Sequence, residues 1–216
     1  MSLYESHVLP HLINCACSIG PIMKLRQQVV PQCRGTVLEV GMGSGVNLPY
    51  YHPDRVDRVW GLEPSEGMRR IAAENVARAP VDVQWLDLPG ERIPLADNSV
   101  DTVLLTFTLC TIPDWHRALH QMARVLKPDG QLLFCEHGRA PDPGVRRWQD
   151  RINPLWMPIA GGCHLNRPIN RLIEQAGFRI ERMNTQYLKK APRIAGYVYD
   201  GVAVTCQDRD ARQKER

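Results

Sequence analysis

Apolar residues follow two rhythms along this chain. Short, mostly apolar runs at 37–40, 58–62, 81–86, 100–105, 131–135, 178–181 and 197–205 read as strands. Helical spacing lies between them. Met68, Ile71, Ala72 and Val76 share one face after a capping Ser65. Leu119, Met122, Val125 and Leu126 predict a second helix over 114–126, stopped by a turn at 127–130. Ile169, Leu172, Ile173 and Ala176 predict a third, opened by Pro168 and ended by Gly177. The run 100–105 is nearly continuous in apolar residues, as suits a central strand covered on both faces. Strands alternating with helices imply an α/β fold, a doubly wound and mostly parallel sheet of seven strands.

Two stretches break the alternation. Residues 1–32 read as an N-terminal helical lead-in or cap, with Leu9, Leu12, Ile13 and Ala16 at helical spacing. Residues 139–167 carry four prolines, Trp148 and Trp156, and end in Gly161-Gly162-Cys163-His164. Long connections inside a compact domain are usually functional, so this one is expected to be a lid within a domain spanning 33–206. Residues 207–216 read as a disordered tail.

Composition narrows the function. With 44% hydrophobic residues, 23% charged residues and a net charge of +4, the 216-residue chain has the balance of a soluble globular domain. Its basic residues form no concentrated stripe, so a nucleic-acid partner is not expected. No segment reaches the roughly 20 apolar residues of a membrane span. Seven cysteines without a C-x-x-C pair suggest neither a disulfide framework nor a metal site, and point to a reducing, cytoplasmic setting. Cys15 and Cys17 read as buried helix residues.

The chemistry concentrates at 36–47, TVLEVGMGSGVN. A strand empties into Gly41, Gly43 and Gly45, where a ligand can approach the backbone closely. A dinucleotide fingerprint would place its third glycine at Val46. The spacing found, with Glu39 two residues ahead, resembles motif I of the class I S-adenosylmethionine-dependent methyltransferases. Glu63, at the end of the second strand, is placed to accept hydrogen bonds from a ribose. The segment 90–101, GERIPLADNSVD, resembles the family's adenine-bordering stretch, although Pro89 stands where the usual aspartate falls. The resemblance implies a Rossmann-like sheet and S-adenosylmethionine as cofactor. It implies cofactor contacts from Glu39, Gly41, Gly43, Gly45, Asn47, Glu63, Pro64, Met68, Gly90, Glu91, Thr106 and Leu109.

Three further strings, Leu109-Cys110-Thr111, Glu136-His137 and Gly162-Cys163-His164-Leu165-Asn166-Arg167, resemble the thiol S-methyltransferase branch of the methyltransferase-like proteins. That implies a small, partly apolar acceptor, with a thiol leading. A thiol must become a thiolate, and a neutral histidine can take its proton; His137 and His164 are the candidates. Glu136 either orients a histidine or pairs with Arg167. C-methylation of a quinone-like ring and NAD(P)-linked oxidoreduction are the alternatives.

Overall fold

The computed structural model describes residue 4 and residues 8–206; the tail expected at 207–216 lies outside them. The elements run α1 (Leu9–Cys17), α2 (Gly20–Val29), β1 (Gly35–Val40), β2 (Val56–Leu62), α3 (Glu66–Ala77), β3 (Asp82–Leu86), β4 (Val100–Thr106), α4 (Trp115–Val125), β5 (Leu126–His137), α5 (Pro143–Ile159), α6 (Ile169–Gln175), β6 (Phe178–Tyr187) and β7 (Tyr197–Thr205). The seven strands lie in the order β3-β2-β1-β4-β5-β7-β6. Strands β1 to β5 pair in parallel, and β7 runs antiparallel to both β5 and β6. This is the Rossmann-like, mostly parallel sheet that the alternation of strands and helices predicts.

Two cores flank the sheet. Leu38, Val103, Leu105, Leu119, Met122, Phe134 and Ile173 pack on one face. Val37, Val59, Leu104, Leu133 and Cys135 meet Ile22, Leu25 and Val29 of α2 on the other. Alternate residues of one strand thus supply opposite cores, which is why β4 reads as an unbroken apolar run. The expected helices α3 and α4 are capped by side chains: Ser65 accepts from the Met68 amide at 3.3 Å and Asp114 from the Arg117 amide at 3.0 Å.

The structure adds detail to the lead-in and to 139–167, and corrects two expectations, the turn at 127–130 and the burial of Cys15 and Cys17. The lead-in contains two helices, because Ile19 is extended and Pro21 sits in the first turn of α2. Residues 127–130 form no separate turn; β5 begins at Leu126 and shifts register against β4 between Val100 and Thr102. Cys15 is exposed and Cys17 half-buried, so they are not a buried pair. Most of 139–167 is a 17-residue helix, α5. Its inward face is polar: Gln149 and Asn153, one turn apart, are its buried residues, while Trp148, Leu155, Trp156 and Ile159 are exposed. Gln149 donates to the carbonyls of Gly138, Leu165 and Ile194 and accepts from the Ala140 amide. Those bonds replace the apolar stripe that would mark a packed helix.

Candidate active site

The chain winds from β1 out to β3, then returns to β4 beside β1. Order reverses there, and open α/β sheets bind ligands at such a point, beyond the carboxyl ends of the strands. A cavity of about 350 Å³ opens at that place. Its walls include Gly41, Met42, Gly43, Ser44, Glu63, Pro64, Met68, Gly90 and Glu91. Leu9, Pro10, Ile13, Phe107, Thr111, Ile112 and Gly161 add a largely apolar portion to the same lining, and Arg26, Cys17 and Thr106 lie among its walls.

The glycine turn is built on left-handed backbone, with φ of +70° at Gly41 and +58° at Gly43. A Cβ on Gly41 would lie 2.2 Å from the Thr108 side chain, so that residue is fixed by packing as well as by φ. A Cβ on Gly43 would reach 3.2 Å from the Met68 methyl at the cavity wall. Glu63 holds the turn: its carboxylate accepts from the Gly43 amide at 3.0 Å and the Ser65 amide at 2.8 Å. Burial pushes the Glu63 carboxyl above its ordinary pKa, while those two amides pull it down.

Behind the turn lies a buried polar network. Asn47 donates to Glu39 at 2.8 Å and to Thr106 at 2.9 Å. Tyr51 donates its hydroxyl proton to the other Glu39 oxygen at 2.7 Å. Arg26 donates to Asn47 at 2.9 Å and to Thr106 at 2.7 Å. Its guanidinium lies 5.4 Å from the Phe107 ring centroid, and its Nε has no hydrogen-bond partner among the described residues. It is 4% exposed and forms no ion pair with a carboxylate among them. A buried, unpaired cation on a cavity wall fits an anionic ligand group.

The expected residues therefore divide. Gly41, Gly43, Glu63, Pro64, Met68, Gly90, Glu91 and Thr106 line the cavity. Glu39, Gly45, Asn47 and Leu109 stand outside its lining: Glu39 and Asn47 form the network beneath it, and Gly45 packs on Leu48, Ala72 and Asn75. Leu109 is fully buried in the core, its amide donating to Glu136 and its carbonyl accepting from Arg167. Neither His137 nor His164 is on the lining. His137 Nε2 lies 3.2 Å from Cys163 Sγ, and its ring stacks on Phe107 at 6.4 Å. The His164 amide donates to the Cys110 carbonyl at 2.9 Å; burial and the nearby Arg167 lower its pKa.

Glu136 neither orients a histidine nor pairs with Arg167. One of its oxygens accepts from the Thr108 and Leu109 amides at 2.8 and 3.1 Å. Arg167 spends its donors on the Leu109 and Ile112 carbonyls. Together they brace the loop after β4 from both sides. Arg26, Cys17 and Ile13 are site residues that sequence reasoning missed. The available signal was a lone arginine inside the apolar stripe Ile22, Leu25, Val29.

Comparison with known proteins gives a consistent result. Residues 38–134 match the family model described as Methyltransferase domain. The chain is similar to thiol S-methyltransferase TMT1B of Rattus norvegicus, 32% identical over 170 residues that cover 74% of this chain and 69% of the rat protein. It also resembles demethylmenaquinone methyltransferase of Listeria monocytogenes, 35% identical over 107 residues covering 48% of this chain and 44% of that one. In structure it is similar to a SAM-dependent methyltransferase from Aquifex aeolicus, with a TM-score of 0.60, 22% identity, and coverage of 91% of this chain and 98% of the other.

Proposed function

This chain belongs to the class I S-adenosylmethionine-dependent methyltransferases, and from that premise we propose that it methylates the sulfur of a small, partly apolar thiol. Membership sets aside the oxidoreductase alternative. When bound, S-adenosylmethionine supplies a sulfonium-activated methyl group, so the protein's own task is to hold donor and acceptor in line and exclude water.

The residues fit the donor. Glu63 offers two carboxylate oxygens at the cavity edge for the ribose hydroxyls, with the glycine turn allowing close approach. Gly90 and Glu91 border the adenine with Pro64 and Met68. Arg26 is the partner for the donor's carboxylate, since its buried guanidinium lies on the cavity wall and forms no direct ion pair among the described residues, reaching Glu39 only through Asn47. Glu39, Gly45, Asn47 and Leu109 act by positioning, because they support the turn and the loop after β4 from behind.

The observation that carries the acceptor assignment is the apolar part of the cavity lining. Leu9, Ile13, Phe107 and Ile112 supply it, and Glu63 and Glu91 are the two acidic residues of the lining. An apolar thiol suits such a lining. The similarity to the rat thiol S-methyltransferase supports the same class. Burial and the nearby Arg167 lower the His164 pKa, which favours the neutral imidazole that can accept the thiol proton. Seven free cysteines suit a reducing compartment such as the cytoplasm. Among the described residues no helix is long and apolar enough to cross a membrane.

Substitution of the acceptor wall tests this reading. Ile13→Trp is expected to raise KM for a small apolar thiol at least about tenfold, the scale of a blocked apolar subsite, with S-adenosylhomocysteine affinity unchanged. An unchanged thiol KM in that variant places the acceptor elsewhere.

A further inference from the structure

Three potential metal ligands meet behind the acceptor wall, from three separate parts of the chain. Cys110 lies in the loop after β4, His137 is the last residue of β5, and Cys163 sits in the turn between α5 and α6. The two sulfurs and one ring nitrogen all lie within 4.8 Å of one another. His137 Nε2 lies 3.2 Å from Cys163 Sγ. Cys110 is buried and the other two are half-buried.

We propose that Cys110, His137 and Cys163 form a zinc site that fastens the turn 161–164 to the carboxyl ends of β4 and β5. The donor set, two soft thiolates and one imidazole, suits zinc. Zinc bonds of about 2.3 Å to sulfur and 2.0 Å to nitrogen set tetrahedral edges of about 3.5–3.8 Å, so donors already within 4.8 Å of one another need move by no more than about 1 Å to take the ion. Three protein ligands leave a fourth position for water or an exogenous thiol.

Surrounding contacts already hold the ligands. The Phe107 ring stacks on His137 with 15° between planes. The His164 amide donates to the Cys110 carbonyl, pinning the residue next to Cys163 against the residue that bears the second thiol. With Nε2 on the metal, the proton resides on Nδ1. Zinc uptake releases the two thiol protons to solvent and leaves two thiolates on the ion.

The consequence is for the shape of the acceptor side. Gly161 and Thr111, on the cavity wall, flank Cys163 and Cys110, so the ion would set how closely that wall stands. This site is independent of which acceptor the enzyme methylates, and its test does not depend on activity.

Full-length protein is stripped with a chelator under reducing, anaerobic conditions, given zinc, desalted and analysed for metal. One zinc per chain is expected in the wild type and in Cys206→Ser, and none in Cys110→Ser/Cys163→Ser or in His137→Gln. Substitution by cobalt(II) should give a thiolate-to-metal charge-transfer band that the double variant lacks. S-adenosylhomocysteine binding and circular dichroism establish that the variants are folded. If both misfold, titration of the wild type decides alone, through the cobalt band and a zinc-dependent rise in Tm. Failure of the reduced wild type to retain zinc overturns the proposal, as does equal retention by folded variants. A Cys110–Cys163 disulfide in non-reduced intact mass, with no zinc taken up after reduction, also overturns it.

Discussion

Arg26→Met separates donor recognition from fold stability. Methionine keeps the apolar stem along Phe107 and removes the guanidinium. In the unliganded protein the change deletes the bonds to Asn47 and Thr106, at 2.9 and 2.7 Å. Thr106 keeps its bond from Asn47, so the Asn47 oxygen is the acceptor left without a partner, at about 1–3 kcal/mol. Against that, a buried charge with an unpartnered Nε disappears, which offsets part of the loss. The net change in unfolding free energy is expected to stay within about 2 kcal/mol. Donor binding should respond differently. Removing one member of a buried ion pair strands the other and costs about 3–5 kcal/mol, which is at least about 150-fold in Kd. Calorimetric titration with S-adenosylhomocysteine measures this. 5′-Methylthioadenosine, which keeps the nucleoside and lacks the carboxylate, should bind wild type and variant with similar affinity. Unchanged S-adenosylhomocysteine affinity refutes the argument. Equal weakening for both ligands refutes it too, because the effect would then come from a distorted cavity.

Glu63→Gln should weaken S-adenosylhomocysteine binding by about 1.5–3 kcal/mol, the worth of a hydrogen bond to a charged group; calorimetry showing equal affinity removes Glu63 from the ribose. Burial raises the Glu63 pKa in the folded chain. Its protonation therefore favours the unliganded fold fully below the unfolded value of about 4.3, and that contribution fades as pH rises through the folded value. The Tm of Glu63→Gln relative to wild type should accordingly increase with pH across that window, and a constant difference contradicts the assignment. Gln149→Ala removes the partner of two buried carbonyls, a half-buried carbonyl and one buried amide and should lower stability by about 2–4 kcal/mol in urea unfolding; a loss below about 1 kcal/mol means α5 is held otherwise. Gly41→Ala places a methyl against Thr108 at a left-handed φ, so its Tm should fall by at least about 5 °C, and a wild-type Tm would show that the turn can rearrange.

The sheet was legible because each strand is apolar on the face or faces it buries. Val103, Leu104 and Leu105 of β4 carry that signal with no polar interruption. The glycine turn was legible for a local reason: Gly41 and Gly43 sit two residues apart just past a strand end, and Glu63 directly follows the neighbouring strand. The acceptor side was not. Ile13 and Arg26 reach the cavity from α1 and α2, and nothing in the spacing of the chain says that those helices cross the strand ends. Helix α5 hid because its buried face is made of Gln149 and Asn153, which bond to backbone rather than pack, while its tryptophans face outward. The Cys110, His137 and Cys163 cluster hid because its members are separated by whole structural elements, with none of the short spacing that marks a metal motif.

The proposed function brings S-adenosylmethionine and a small thiol together in the cavity at the junction of β1 and β4. Enzyme preloaded with methyl-labelled donor is mixed with a small apolar thiol and, separately, with a demethylated quinol, and the label is followed by mass spectrometry. A labelled thioether and one equivalent of S-adenosylhomocysteine are expected with the thiol, and no transfer to the quinol. Label appearing on the quinol carbon, with the thiol left unmethylated, would contradict the proposed function.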